Sequence, residues 1–423
     1  MAFKRIRQII GNDYMFSIIS RIISAVLSIF HAAFLARFLG PELKGVSASI
    51  TSIVAIGCVV STLGIHQAFP YYRKKDKSKE FLDKFCSTVV AIYIVLFAIS
   101  WIIYAIVSGS IVVKGAIILI PIFGYETVIQ YVYLIESSKK RNISHIISYT
   151  IETILLCVFW LFLKPNNYLM LLGLSIAIIL KAIIATKGLN FKLDFRLCDF
   201  KYVLMLVKFG FLPMIALLLT MLNSRVDILM LNMYESVSKA QIGIYSVGVG
   251  LAEKVLLIPD AIREILLGKL VAGKQEEEVA RACRMGTAIS FVISVCIVLF
   301  GKFAIAFLYG NDYAGAYSIT LISSIGTIFM VYIKMISQNN IVHKKQKTNA
   351  LLLVISVTVN IIGNIILIPQ IGIVGAAIAT LIGHFICGLC FIVYFVKTEK
   401  IHPRKLILIQ RDDLRNIKKF IKK

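Results

Sequence analysis

The chain has 423 residues, of which 59% are hydrophobic and 16% charged, and its mean hydropathy is +0.86. Soluble domains carry about 45–50% apolar and about 25% charged residues, so this composition excludes a soluble enzyme or a secreted domain and makes the bilayer the solvent. The net charge of +24 then reads as membrane topology and contact with anionic lipid, not as a nucleic-acid surface.

About 20 apolar residues cross the hydrocarbon core. That ruler predicts twelve helical spans, the first six near 14–36, 44–66, 85–107, 111–135, 143–163 and 168–186. The second six lie near 206–231, 241–262, 285–308, 316–337, 349–368 and 372–396. No period-2 alternation supports a lipid-facing β-barrel. The first stretch is too long for a cleaved signal peptide and lacks a small-residue cleavage site.

Lys and Arg crowd alternate connections. They sit at Lys4, Arg5 and Arg7, in residues 67–84, at Lys139, Lys140 and Arg141, in 187–202, 263–284 and 338–348, and in the tail 397–423. The other connections hold only Arg37, Lys44, Lys114, Lys164 and Lys239. The positive-inside rule places the basic connections and both termini in the cytoplasm. The outer loops are short and leave no room for an external catalytic domain. Connections 187–202 and 263–284 are expected to form basic interfacial helices. In the tail, Leu406, Ile409, Ile417 and Phe420 fall near helical spacing among cations, as in a helix lying on the inner leaflet.

Gly45-Val46-Ser47-Ala48 opens span 2, and Gly243-Ile244-Tyr245-Ser246 opens span 8. Gly173-Leu174-Ser175-Ile176-Ala177 in span 6 is similar to Gly375-Ala376-Ala377-Ile378-Ala379 in span 12. Six spans per half keep both halves in one orientation, which makes a parallel repeat. The expected fold is an all-α integral membrane protein with two six-helix bundles, 1–190 and 203–397. A cytoplasmic connector, 191–202, joins them, and a basic amphipathic tail, 398–423, follows.

A charge at the centre of a span costs roughly 2.5–3.5 kcal/mol, so each one needs a reason. Lys181, Lys208, Lys302 and Lys334 lie near span ends and are expected to snorkel. Arg21 and Lys254 lie deeper, about 10 and 12 Å in from the cytoplasmic edge, in opposite halves. Facing a central cleft they would bind a doubly charged anion such as a pyrophosphate, with Arg225 as a further candidate. Otherwise they would pair with Glu126, Glu152 or Glu253. Arg225 and Asp227 are two residues apart on span 7, point to different faces, and each needs a partner elsewhere. Asp227, Glu126, Glu152 and His384 are candidate coupling groups, with helix-packing contacts as the plainer reading, and His31 is a weaker candidate. Cys387 and Cys390 read as two small apolar side chains one turn apart. No phosphate-binding loop, zinc motif, metal-spaced cluster or nucleophile elbow occurs, so no ATP hydrolysis, metal, cofactor or catalytic activity is expected.

The loop Ala36-Arg37-Phe38-Leu39-Gly40-Pro41-Glu42-Leu43-Lys44-Gly45 resembles the L-A-R-x-L-G-P-E-x-x-G loop of bacterial polysaccharide flippases. Arg225-Val226-Asp227-Ile228-Leu229-Met230-Leu231, followed by Gly243-Ile244-Tyr245-Ser246, resembles their span 7–8 signature. The run from Asn364 through Pro369 and Gly375 to Thr380 is very similar to their N-x-x-L-I-P-x-x-G-x-x-G-A-A-x-A-T. These residues point to the polysaccharide (O-antigen and capsule) branch of the multidrug/oligosaccharidyl-lipid/polysaccharide exporter superfamily. The resemblance implies a twelve-helix carrier of the bacterial cytoplasmic membrane. Such a carrier moves undecaprenyl-pyrophosphate-linked sugar repeat units to the outer leaflet, with a polymerase and a chain-length regulator as partners. Related lipid II flippases have cavity arginines in spans 1, 2 and 8. Arg21 and Lys254 fall in two of these, while the interior of span 2 has no basic residue. The alternative in the same superfamily is a cation-coupled multidrug antiporter. That reading wants acids in the cleft, whereas this chain offers at least as many deep bases.

Overall fold

The computed structural model describes residues 13–271, 276–343, 345–410 and 413. They form α-helices and short 3-10 turns, with no strand among the described residues. In chain order the helices are α1 (Asp13–Ser61), α2 (Ile65–Lys75), α3 (Lys79–Ile106), α4 (Ile111–Glu136), α5 (Ser138–Phe162) and α6 (Asn167–Leu189). They continue as α7 (Phe200–Leu231), α8 (Lys239–Glu253), α9 (Leu257–Val271), α10 (Glu276–Tyr309), α11 (Ala316–Val342), α12 (Gln346–Glu399) and α13 (Pro403–Ile407). Ten helical segments among the described residues are long and apolar enough to cross a membrane. The sequence reading had twelve spans, and the difference lies in α1 and α12. Each runs through two predicted spans without leaving helix for more than two residues.

Both long helices are broken where the sequence demands it. In α1 the break is Gly40, at φ 70° and ψ 171°, followed by Pro41. Glycine takes this left-handed backbone at low cost, and the proline ring cannot sit in an uninterrupted helical turn. In α12 the break falls at Ile371 and Gly372, with Gly372 at φ 58°, just after Pro369. The two arms of α12 then fold back on each other. A Cβ on Gly375 would overlap the Leu367 carbonyl oxygen, and one on Gly363 would lie 2.9 Å from the Ala379 methyl. The Asn360 side-chain amide donates to Thr380 Oγ1 across the hairpin at 3.1 Å. Small residues along this seam let the arms approach backbone to backbone.

Packing divides the chain into two compact units, Met1–Met221 and Leu222–Lys423. In the first, α1 packs on α4 and α5, and α4 on α3 and α6. One buried cluster gathers Phe38, Ile50, Val54, Ala116 and Leu119, and a second gathers Phe69, Phe85, Val89, Ile129 and Leu206. Arg73 at the end of α2 forks onto Glu136 at the end of α4, at 2.6 and 2.9 Å. Between α1 and α2 the chain turns through Leu63 and Gly64, both at positive φ. There Gly64 lies so close to Gly210 of α7 that a Cβ on either would overlap the other's carbonyl oxygen. Gly210→Ala is expected to cost about 1–3 kcal/mol or more, because two backbones cannot yield as side-chain tips do. It should lower the melting temperature of the detergent-purified protein. Gly250→Ala, whose Cβ would meet nothing within 4 Å, should leave it unchanged. Equal melting of the two variants would count against the close approach as a constraint.

In the second unit α11 is central, packed on α8, α10 and α12. Arg284 of α10 is buried and holds Asp413 at 2.7 and 3.1 Å together with the Lys405 carbonyl. Burial pushes the Asp413 carboxyl up. The Arg284 hydrogen bonds, the Gln410 amide and the nearby charges of Arg284 and Arg281 outweigh it and leave the pKa below the usual carboxylate value. Of the tail expected to lie as a surface helix, residues 411–412 and 414–423 are outside the described residues. Among its described residues Pro403–Ile407 and Asp413 are helical, Leu406 is buried and Ile409 is exposed, while Ile417 and Phe420 lie outside the described residues. The connection 187–202 is not the interfacial helix expected, since 190–194 and 198–199 are not helical. Asn190 ends α6 in the left-handed conformation, and only the 3-10 turn Phe195–Leu197 follows. In the other connection α9 runs on to Val271 and α10 begins at Glu276, so helix fills it apart from residues 272–275, which lie outside the described set.

Candidate functional site

The second unit buries a carboxylate. Asp227, on the later half of α7, is 3% exposed. Its Oδ2 accepts from the Tyr245 hydroxyl of α8 at 2.9 Å and from Thr380 Oγ1 of α12 at 2.5 Å. Its Oδ1 accepts from the Asn364 side-chain amide at 2.8 Å. Asn364 also donates to Asn360 Oδ1 at 3.0 Å, and Asn360 in turn donates to Thr380 Oγ1 at 3.1 Å. The Thr380 hydroxyl has one proton and two acceptors in reach, Asp227 and the Ala376 carbonyl at 3.0 Å. Asn364 Oδ1 is buried with no hydrogen-bond partner among the described residues.

The folding of α12 makes this site. Asn360 and Asn364 are one turn apart, so both face the same way on the first arm, and the hairpin brings Thr380 opposite them. One turn earlier on α7, Asn223 accepts from Ser356 at 2.8 Å and fixes the register of α7 on the hairpin. The carboxylate is thus held by neutral donors, and among the described residues no cation pairs with it. Neutral donors stabilise a buried charge only in part. A cluster of this kind, rich in oxygen and carrying one uncompensated negative charge, can take up a proton or a small cation.

The first unit holds a cavity of about 290 Å³, and its polar lining comes from His31, Ser47, Thr51, Glu126, Glu152 and Lys181. Lys181 of α6 pairs with Glu152 of α5 at 2.9 Å and lies 4.6 Å over the Tyr149 ring. Lys181 therefore does not snorkel as expected, because its face of α6 turns toward α5. Lys334, expected to snorkel as well, is held by both Asp260 oxygens at 2.8 and 2.9 Å. Lys208 and Lys302 are exposed, in keeping with snorkelling.

The expected site residues fall as follows. Glu126 and Glu152 share the first unit's cavity, and His31 joins them there, with its Nδ1 3.4 Å from Thr153 Oγ1. Asp227 lies in the other unit. Arg225 is half-buried two residues before it and forms no ion pair among the described residues. Lys254 is half-buried on the 3-10 turn Lys254–Leu256 that joins α8 to α9. His384, one turn beyond Thr380, is buried, and neither ring nitrogen has a hydrogen-bond partner among the described residues. Arg21 falls on α1, but its side chain lies outside the described residues. Sequence reasoning missed Tyr245, Asn360, Asn364 and Thr380 as partners of Asp227. The available signal was a pair of asparagines at i and i+4 inside an apolar span, where an amide needs a reason to be. The sequence singles out Glu152 and Lys181 each, but not as partners of one another.

Residues 34–318 match the family model described as polysaccharide biosynthesis protein. No curated protein matches the sequence. Among solved structures, the chain is similar to the lipid II flippase MurJ in its inward closed conformation. The TM-score is 0.72 and the identity 19%, over 93% of this chain and 89% of that one. An inward-facing multidrug resistance MATE family transporter of the MOP superfamily matches with a TM-score of 0.68 and 12% identity, over 91% of this chain and 97% of that one. A MOP superfamily transporter from Pyrococcus furiosus, described by the reverse polarity of its binding pocket, matches with a TM-score of 0.60 and 12% identity, over 93% and 98%.

Proposed function

Because this chain belongs to the polysaccharide biosynthesis protein family, we propose that it is a flippase of the MOP superfamily for undecaprenyl-pyrophosphate-linked oligosaccharide repeat units. It would move them from the cytoplasmic to the outer leaflet of a bacterial cytoplasmic membrane, for O-antigen-type or capsule-type assembly. The family and its structural neighbours are transporters and flippases, not catalytic enzymes. The observation that carries the reading is the match of residues 34–318, which covers more than half of the chain. The likeness in fold to a lipid II flippase supports a lipid-linked substrate.

The broken helices α1 and α12 support counting each as two passes, which makes twelve spans with both termini cytoplasmic. Two six-span halves in one orientation fit a parallel repeat. In this scheme Arg21, Lys254 and Arg225 offset the pyrophosphate, and Asp227 couples its movement to a cation. Glu126, Glu152 and His384 are further coupling groups. A polymerase and a chain-length regulator would take the product.

The test is transport by the purified chain in liposomes. A fluorescent polyprenyl-pyrophosphate-linked oligosaccharide in the inner leaflet should become accessible to a membrane-impermeant quencher only when the protein is present. One observation favours a second reading, a cation-coupled multidrug antiporter. It is the first unit's cavity with its two carboxylates, Glu126 and Glu152. Exchange of an organic cation for protons or sodium, with the lipid-linked sugar left in place, would decide for that reading.

A further inference from the structure

Apart from the clusters above, the first unit has a larger concavity of about 580 Å³ on the face formed by α3, α4 and α6. It falls within the range of about 300–1,000 Å³ typical of ligand pockets. Val90, Ile94, Phe97, Ile122 and Ile183 line it, and Lys187 closes one end. Ile94 is 55% exposed and Ile183 45%, so the groove opens sideways, where a bilayer would lie. The hydroxyls in its wall are already paired. Tyr125 meets Thr186 at 2.9 Å, Thr186 also donates to the Ala182 carbonyl, and Tyr93 donates to the Ser61 carbonyl at 3.2 Å. The wall therefore matches an apolar chain and not a polar solute.

The basic end is built by the connector after α6. From Asn190 the chain crosses the first turns of α3. The Lys192 amide bonds Asp83 at 2.8 Å, and the Asp194 amide bonds Ser87 at 3.0 Å. Ser87 lies one turn before Val90, the first groove residue on α3. Lys187 and Lys192, both exposed, are thus at the same end, bordered by exposed Leu193 and Phe195. Along α6 the lining runs from Ile179 to Lys187, about 12 Å at 1.5 Å per residue. That is close to half of the roughly 30 Å hydrocarbon core, the depth of one leaflet.

We propose that this groove binds an anionic phospholipid of the leaflet next to the basic connections. Its acyl chains lie along α3, α4 and α6, and its phosphate rests on Lys187 and Lys192. The one-leaflet depth favours a leaflet lipid over the longer polyprenyl chain of a substrate, and the lysines favour an anionic headgroup. The site rests on the membrane setting of the chain and not on the flippase reading.

The test is native mass spectrometry of the detergent-purified chain, with phosphatidylglycerol, phosphatidylcholine and undecaprenyl phosphate added in turn and in competition. One phosphatidylglycerol should stay bound, preferred over phosphatidylcholine by about fivefold for each lysine engaged. Lys187→Ala should lower that preference about fivefold while the fold is kept, since the residue is exposed. Ile183→Trp, which fills the groove from its open side, should lower retention of both phospholipids. Wild-type retention and preference in both variants would overturn the proposal. Displacement of phosphatidylglycerol by equimolar undecaprenyl phosphate would also overturn it, and would assign the groove to the tail of a lipid-linked substrate.

Discussion

Asp227→Asn is expected to leave the chain folded and inserted but to lower gradient-driven transport by roughly 5–150-fold, the range of typical coupling energies. The carboxylate is 3% exposed and accepts hydrogen bonds from Tyr245, Asn364 and Thr380, and among the described residues no cation pairs with it. In a low-dielectric interior that leaves one negative charge to be offset by something that can arrive and leave. Asparagine keeps the shape and one acceptor oxygen but removes the charge, so it separates coupling from packing. Asp227→Ala should do more damage. It strands the Tyr245 hydroxyl and one Asn364 amide hydrogen, at about 1–3 kcal/mol for each left unsatisfied, while Thr380 keeps the Ala376 carbonyl, and should lower the amount of folded protein as well as its activity. The measurement is lipid-linked sugar movement in liposomes under an imposed proton gradient and, separately, an imposed sodium gradient. The gradient that loses its effect in Asp227→Asn identifies the coupling ion. Wild-type rates under both gradients would show that Asp227 only holds α7, α8 and the α12 hairpin together.

Combined Arg21→Ala and Lys254→Ala should abolish surface polysaccharide in a deletion strain, at membrane levels matched to wild type. A pyrophosphate taken through the protein interior needs fixed cations, because even one unpaired charge there costs several kcal/mol. Arg21 and Lys254 are the deep cations of the two halves in the sequence reading. Arg21→Lys should keep part of the export, since charge remains but the two-pronged guanidinium is lost. Lys254→Arg should be tolerated. Lys254 lies on the 3-10 turn between α8 and α9, where the helix changes geometry. Near wild-type export from the double variant would show that neither residue binds the pyrophosphate, and would turn attention to Arg225.

The membrane setting and the helical fold were legible in the sequence, because burial in lipid is a sum over local stretches. Twenty apolar residues declare a span whatever lies beside them. The breaks at Gly40-Pro41 and after Pro369 were legible for the same reason, since glycine and proline act on their own backbone. The need of Asp227 for a partner also followed from its depth alone. Its partners did not. Thr380 lies 153 positions away, and only the hairpin of α12 brings it and Asn364 to one carboxylate. Depth along a span can be counted, but the direction a side chain faces depends on which helices pack together. Lys181 shows the difference. Counting residues placed it near the membrane edge, where a lysine snorkels, while the packing of α6 against α5 turned it onto Glu152. Sequence fixes depth because rise per residue is constant. Tertiary structure decides partners, because facing is set by contacts between segments far apart in the chain.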